Sequence, residues 1–130
     1  MSKHVTSVSD EGFAATNEIR DYELHIDAGG EETPDTLETL LAAYATCYVP
    51  ALRVGGRQRD VDELGRIEID VTGDLNEDDK LASISFDVSV EADVDDETAE
   101  QIVQRANELC KVHDALKADL HAETSVEGGA

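Results

Sequence analysis

The chain has only two cysteines, Cys47 and Cys110, and they are its first candidates for chemistry. A lone cytosolic cysteine is usually a small buried apolar residue. Two cysteines that pair in a reducing cytoplasm, however, typically do so transiently, as part of a reaction. Cys110 stands in the segment ELCKVHDAL, with His113 three positions later. The residues alone leave three interpretations open: a metal site, two thiols buried in a core, or a redox pair.

The metal interpretation depends on the segment CKVH, whose spacing puts a thiolate and an imidazole within reach of one ion. Zinc takes four ligands, or three and a water. Only Cys47 and a carboxylate could complete a set with Cys110 and His113, because the sequence has no second Cys-x-x-Cys or His-x-x-x-His unit. We therefore expect no metal and no other cofactor, and we expect His113 to be a hydrogen-bonding residue near Cys110.

The strongest signal in the composition is charge. Against 31 acidic side chains there are 10 basic ones, which gives the 130 residues a formal net charge of −21. Phosphate recognition needs clustered positive charge, so this composition argues against a nucleic-acid partner. At molar salt the Debye length falls to about 3 Å, which screens the repulsion between surface carboxylates while they still bind water and cations. We therefore predict a halophilic source.

The length and the apolar runs indicate the class of protein. No apolar run approaches the roughly 18 residues of a membrane span, and the first ten residues lack the apolar segment of a signal peptide. A chain of this length is typical of one domain with its own core. We predict a single domain over residues 1–130, soluble and cytoplasmic, with no membrane partner.

The first half of the sequence predicts a hairpin followed by a long helix. In residues 11–28, apolar and polar side chains alternate in two extended segments joined at Arg20 and Asp21. From Asp35 onwards, leucines, tyrosines and Cys47 recur at steps of three and four residues. This spacing is typical of a helix that is buried on most of its faces.

The second half predicts two strands, a second helix and a closing strand. Alternation from Ile67 to Val71 and from Ile84 to Val90 indicates strands with one packed and one solvated face. The summed order is an α+β layout in which two helices cover or cross an antiparallel sheet. The other predicted segments are a loop over residues 55–60, a hairpin loop over 73–80, a helix that ends near Cys110, and a strand over 118–127.

Two segments resemble motifs of the OsmC and organic hydroperoxide resistance family. The stretch TPDTLETLLAAYATC resembles the family's run from a proline, through a glutamate and a Leu/Ala-rich helix, to its first reactive cysteine. The stretch ANELCKVHDAL resembles the second segment, a helix followed by a cysteine turn and a short apolar helix. The order of strands and helices is also similar. The resemblance implies an OsmC-like fold of antiparallel sheets with two long central helices, in an intertwined homodimer whose sites lie at the subunit interface.

The resemblance also implies a function, the reduction of organic hydroperoxides. Cys47 would attack the peroxide and Cys110 would resolve the sulfenic acid as a disulfide, which an external dithiol such as a protein-bound lipoyl group would reduce. Arg20 stands where the family carries a guanidinium. It would lower the pKa of Cys47 and hold the peroxide, and Glu38 would orient it.

Three positions depart from the family pattern. Lys111 follows Cys110 in place of a proline, and His113 stands where serine is frequent. Glu38 lies nine positions before Cys47, whereas the peroxidase branches place the acid ten before, a difference of about 100° around a helix. These departures leave a second hypothesis open: an OsmC-like protein that binds an apolar or thiol-containing ligand without efficient turnover.

Overall fold

The computed structural model describes residues 1–130 as two units, Met1–Leu40 and Leu41–Ala130. In the first unit, a three-stranded antiparallel sheet contains the predicted early hairpin, since Ile19 pairs with Tyr22 and the two residues between them form the turn. Arg20 in this turn has a φ of 54°. Its strands, in sheet order, are β1 (Thr6–Val8), β2 (Ala14–Ile19) and β3 (Tyr22–Asp27). The single domain over residues 1–130 stays a prediction.

The helix α1 (Thr36–Arg57) begins in the first unit and continues into the second. Its start is capped reciprocally by Asp35 and Glu38. The backbone N–H of Glu38 donates to the Asp35 carboxylate at 2.8 Å, and the backbone N–H of Asp35 donates to the Glu38 carboxylate at 2.9 Å. Such a capping box gives partners to two N–H groups that a helix start otherwise leaves without one. The helix therefore begins next to its predicted start.

The predicted loop over residues 55–60 is wrong in its first half, because α1 continues to Arg57. Glycines lower helix propensity, which is why the pattern favoured a loop. Gly55 instead lies where α1 passes close to the helix α2 (Asp96–Leu109): a Cβ on Gly55 would lie 3.1 Å from the carbonyl oxygen of Ile102. The glycine thus allows two helices to pack closely.

The second unit contains a three-stranded mixed sheet. Its strands, in sheet order, are β4 (Ile67–Leu75), β5 (Leu81–Val90) and β6 (Glu123–Glu127). The pair β4 and β5 is antiparallel, as predicted, but β6 runs parallel to β5, so the expectation of a purely antiparallel sheet is corrected for this strand. Parallel neighbours need a crossover connection, and α2 lies within the one between β5 and β6.

Two predicted boundaries also shift in the second unit. The strand β4 extends to Leu75, into the predicted hairpin loop 73–80. The predicted closing strand 118–127 begins with a 3₁₀ turn, Ala118–Leu120, and becomes extended only at Glu123.

The core of the second unit forms between α1, α2 and one face of the sheet. The ring of Phe86 on β5 is fully buried, and its centroid lies 4.6 Å from that of Tyr44 and 5.1 Å from that of Tyr48, both on α1. Edge-to-face aromatic contacts of this kind stabilise a core beyond the area that they bury. The predicted packed face of β5 is confirmed by its other buried members, Ile84, Val88 and Val90.

The two long helices differ in composition. At 22 residues α1 is the longer, and it carries two of the three aromatic rings of the core, Tyr44 and Tyr48. The buried residues of α2 form a single stripe of Ala99, Ile102 and Ala106. No helix of the chain combines the length and the apolar character that crossing a bilayer requires.

Candidate active site

Cys47 lies on α1, one helical turn after the fully buried Tyr44, and is itself half-buried. Residues three apart on a helix share a face, so the thiol lies on the side of α1 that carries the Tyr44 ring. It packs against the core of the second unit. The thiol therefore contacts the core while part of the side chain stays open to solvent.

Cys110 forms the joint between α2 and the short helix α3 (Lys111–Ala115). Its extended backbone, with φ −73° and ψ 113°, ends one helix and starts the next. Its N–H donates to the Ala106 carbonyl at 2.9 Å, and its carbonyl accepts the N–H of Asp114 at 3.1 Å. The residue is 1% exposed. Backbone bonds on both sides thus fix a thiol inside the core.

The fold brings the two thiols together. Cys47 and Cys110 are both free, and their side chains are hydrogen-bonded to each other. A disulfide requires the sulfur atoms to approach to about 2 Å. The two thiols are neighbours, as a disulfide between them requires.

The Cys47 thiol is the more easily ionised of the two. Burial on its own raises the pKa of Cys47, because a buried thiolate loses solvation. The backbone N–H of Val112, the Cys110 thiol and the backbone N–H of Lys111 act in the opposite direction as hydrogen-bond donors, and the positive charge of Lys111 adds to them. Together they outweigh burial, and the pKa of Cys47 falls below its ordinary value of 9.0. Since thiolates are the nucleophiles, Cys47 is suited to attack.

The Cys110 thiol has the opposite tendency. Burial is the largest cause that raises the pKa of Cys110, and its hydrogen bond and charge interaction with Cys47 raise it further. The backbone N–H groups of His113 and Val112 lower it by less. Cys110 therefore keeps its proton and donates it to the Cys47 sulfur. One member of the pair therefore ionises more easily, and the other more readily keeps its proton.

A largely buried hydrogen-bonded cluster lies beside the thiols. The Tyr44 hydroxyl accepts the backbone N–H of Ala122 at 3.0 Å and is hydrogen-bonded to Nδ1 of His113. The His113 ring stacks on His121 with the centroids 3.8 Å apart, and Nε2 of His121 donates to the Leu116 carbonyl at 3.1 Å. Burial, with a smaller contribution from His121, lowers the pKa of His113. His113 is therefore neutral at pH 7.

Arg20 and Glu38 belong to the first unit and form no ion pair in this chain. Arg20 is exposed in its hairpin turn, with the guanidinium carbon 5.1 Å from the centre of the Tyr22 ring. The carboxylate of Glu38 is used in the capping box with Asp35. Their participation in the reaction, and the orientation of Arg20 by Glu38, stay predictions.

The sequence analysis missed two contributors to the site, Lys111 and Tyr44. A proline after Cys110 would have no backbone N–H, whereas Lys111 has one and donates it to Cys47. The departure from the family pattern was therefore itself the signal. Tyr44 could be placed on the face of α1 that carries Cys47, but its partner His113 is 69 positions away.

The geometry does not support the metal interpretation. No group of three or more His, Cys, Asp or Glu side chains is arranged to hold an ion. The Nδ1 atom of His113, a candidate ligand, is engaged by Tyr44. The chemistry that these residues offer is that of a thiol pair.

Comparisons with known proteins match the chain to one family. The model of a family described as OsmC-like protein matches residues 11–125. An uncharacterized protein of Haloferax volcanii is 44% identical over 125 residues, which span 96% of this chain and 95% of that protein.

Solved structures share the fold at low sequence identity. An OsmC-like protein from Mycoplasma pneumoniae superposes with a TM-score of 0.80 at 15% identity, covering 98% of this chain and 96% of that one. The organic hydroperoxide resistance protein OhrB of Bacillus subtilis gives 0.73 at 23% identity and 98% coverage of both chains. An organic hydroperoxide resistance protein OsmC from Legionella pneumophila gives 0.76 at 19% identity, covering 98% and 97%.

Proposed function

Because this chain belongs to the OsmC-like protein family, we propose that it is a thiol-dependent peroxidase that reduces organic hydroperoxides. The observation that carries the proposal is the contact between Cys47, whose pKa is lowered, and Cys110, which keeps its proton. Two proteins with this fold bear the name organic hydroperoxide resistance protein. That name supports the substrate class.

In the first step the Cys47 thiolate attacks the terminal oxygen of the hydroperoxide. The S–O bond forms as the O–O bond breaks, and the alkoxide takes up a proton and leaves as an alcohol. The sulfur loses two electrons to the peroxide and becomes a sulfenic acid. The N–H groups of Lys111 and Val112 stabilise the thiolate before attack.

In the second step the Cys110 sulfur attacks the sulfenic sulfur of Cys47. An S–S bond forms, the S–O bond breaks, and hydroxide leaves as water with the proton of Cys110. An external dithiol then exchanges with the disulfide and is itself oxidised to a disulfide. A lipoyl group carried on a protein is one reductant of this class. The half-exposed Cys47 is the sulfur that the reductant attacks, because Cys110 is buried.

Arg20 supplies a positive charge and several N–H donors in one plane, which suits it to hold the peroxide and stabilise the leaving alkoxide. Glu38 is proposed to orient Arg20 when substrate is bound. Arg20 has no ion-pair partner in this chain, so its guanidinium is available for that contact.

The protein is proposed to act as a homodimer in the cytoplasm. Three large apolar side chains of the first unit, Phe13, Tyr22 and Leu24, are 80%, 64% and 44% exposed. Such a concentration of exposed apolar surface marks an interaction site. Light scattering should give twice the 14.0 kDa of one chain, and a monomer mass at micromolar concentration would contradict the dimer.

A second candidate function is ligand binding without efficient turnover. The observation that favours it is the use of the Glu38 carboxylate as a helix cap, which leaves Arg20 without an acidic partner. The two functions differ in turnover. A binding protein would retain an apolar or thiol-containing ligand, and hydroperoxide would not disappear in the presence of a dithiol.

The decisive experiment treats the reduced protein with one equivalent of cumene hydroperoxide and measures its mass. A peroxidase should lose two hydrogens as Cys47 and Cys110 form a disulfide. Cys47→Ser should stay unmodified and should abolish hydroperoxide consumption with dihydrolipoamide. Cys110→Ser should instead gain oxygen atoms at Cys47, because its sulfenic acid has no partner thiol and oxidises further.

The two serine variants are matched controls, since each removes one sulfur and leaves the other. Retained turnover in Cys47→Ser would reject the mechanism. An unchanged mass in the wild-type protein would favour the binding function.

A further inference from the structure

One hydrogen bond joins the two elements that carry the cysteines. Tyr44 lies three residues before Cys47 on α1, and His113 lies three residues after Cys110 on α3. The bond between the Tyr44 hydroxyl and Nδ1 of His113 is buried, with Tyr44 at 0% and His113 at 7% exposure. We call it the Tyr44–His113 bridge. It connects the two elements one helical turn from each sulfur.

The protons of this bridge can be assigned from its donors and acceptors. The backbone N–H of Ala122 donates to the Tyr44 oxygen at 3.0 Å. With that N–H already directed at the oxygen, the hydroxyl proton points to Nδ1 of His113, which accepts it. His113 then carries its own proton on Nε2. The bridge in this form requires a neutral imidazole.

We propose that Tyr44 and His113 are positioning residues that hold Cys110 against Cys47 through the Tyr44–His113 bridge, and that acid releases this hold by protonating His113. The inference rests on the proposed function, because it assigns the bridge to the Cys47–Cys110 pair that the peroxidase uses. Neither residue touches the substrate. Their effect is on how readily the two sulfurs pair.

Protonation removes the acceptor on which the bridge depends. An imidazolium has N–H donors at both ring nitrogens, so the proton of the Tyr44 hydroxyl would lose its acceptor inside the core. The titratable groups that face His113 are Tyr44 from α1, His121 from the segment before β6, and Asp114 and Cys110 next to it in the chain. The stacked His121 opposes a second positive charge, and Asp114 favours it. α3 would therefore move away from α1 when His113 becomes charged.

The sign of the pH effect follows from linkage. In the disulfide, α1 and α3 are tied together, so His113 stays enclosed and resists protonation. In the dithiol, burial also keeps the pKa of His113 below its ordinary value, but no covalent bond holds the helices together, so they can separate and His113 takes up a proton more readily than in the disulfide. The dithiol therefore binds more protons than the disulfide, and acid shifts the equilibrium towards the dithiol. Cys47 has the opposite effect on this equilibrium. Its ionisation at high pH favours the dithiol, so the loss of that ionisation as the pH falls shifts the equilibrium towards the disulfide.

The experiment equilibrates the purified protein with mixtures of reduced and oxidised dithiothreitol across the acid range. In this exchange the two cysteine thiols give two electrons and two protons to the cyclic disulfide, whose S–S bond breaks as that of the protein forms. The disulfide fraction gives an effective concentration of Cys110 at Cys47. For the wild-type protein we expect it to fall about tenfold between about pH 7.5 and about pH 5.

Two variants separate positioning from general stability. His113→Asn keeps an acceptor oxygen near the place of Nδ1 but does not titrate. Its effective concentration of Cys110 at Cys47 should therefore match that of the wild type at pH 7.5 and should not fall in acid. Tyr44→Phe removes the bridge. Its effective concentration of Cys110 at Cys47 should be about tenfold lower than that of the wild type at pH 7.5 and should not change in acid. His4→Asn makes the same chemical change at an exposed position and should follow the wild type.

Two results would overturn the inference. The first is a wild-type effective concentration that does not fall in acid, and the second is an acid fall that persists in His113→Asn. Because the measurement uses no hydroperoxide, it is independent of turnover. A protein that shows the expected pH profile but consumes no hydroperoxide would keep the bridge and lose the peroxidase function.

Discussion

At the residue scale, the difference between the two thiols arises from their surroundings. Cys47 accepts hydrogen bonds from the backbone N–H groups of Lys111 and Val112, which favour its ionised form. Cys110 is buried beside a neighbouring sulfur, which favours its neutral form. Both residues belong to one amino-acid type, so only their environment makes one thiol easier to ionise than the other.

Substitution of Lys111 tests this difference directly. Lys111→Gln removes the charge alone, and Lys111→Pro removes the charge and the N–H. Both should raise the pKa of Cys47, with the larger rise in Lys111→Pro, and should slow alkylation of Cys47 at pH 7 about two- to fivefold. Lys111 is the first residue of α3, a position that tolerates proline, so this variant should fold.

The measurement is the pH dependence of iodoacetamide alkylation at Cys47, followed by mass spectrometry. Lys117→Gln makes the same loss of charge at another exposed lysine and serves as the control. An unchanged Cys47 titration in Lys111→Pro would show that the N–H of this residue does not stabilise the thiolate.

At the scale of elements, local sequence patterns predicted most helices and strands. Their exact ends and the direction of β6 depend on contacts between segments that are distant in the chain. The alternation of β5 correctly predicted its packed face, because a period of two is visible in the sequence itself. The parallel direction of β6 depends on the crossover through α2, which no local pattern contains. Gly55 is likewise explained only by the nearby carbonyl of Ile102 on another helix.

The hydroxyl of Tyr48 links α1 to α2. Substitution by phenylalanine removes this hydroxyl and keeps the ring. Tyr48 is fully buried, its burial raises its pKa to about 12, and its hydroxyl donates to Oδ1 of Asn107 at 2.8 Å. Tyr48→Phe should lower the free energy of unfolding by about 1 kcal/mol. The midpoint of thermal unfolding should fall by several degrees.

Tyr22→Phe is the matched control, because it deletes the same group from a ring that is 64% exposed in one chain and keeps the ring itself for the proposed dimer contact. It should leave the midpoint nearly unchanged. Equal shifts in the two variants would mean that the bond between Tyr48 and Asn107 does not stabilise the fold.

At the scale of the whole molecule, charge dominates. Only two arginine–carboxylate ion pairs form, Arg66 with Glu68 and Arg105 with Glu108, against 31 acidic side chains. Most carboxylates therefore repel one another without a nearby cation, and this repulsion destabilises the folded chain in dilute buffer. The predicted halophilic source follows from the same imbalance.

Salt should therefore stabilise the protein. Between about 0.1 M and about 2 M potassium chloride, the free energy of unfolding should rise by a few kcal/mol as the Debye length shortens. Chemical denaturation with urea at each salt concentration measures the change, since urea adds no charge. A flat or falling stability over this range would contradict a halophilic adaptation.

The sequence by itself determined the α+β class, the family resemblance and the identity of the two cysteines, because these depend on local periodicity and residue type. Only the tertiary structure decided that the Cys47 thiol meets Cys110, that Lys111 and Val112 turn their N–H groups to it, and that Tyr44 reaches His113. Hydrogen bonds and pKa shifts depend on distances of a few ångströms between segments far apart in the chain. Such distances exist only after packing has selected one arrangement of the elements.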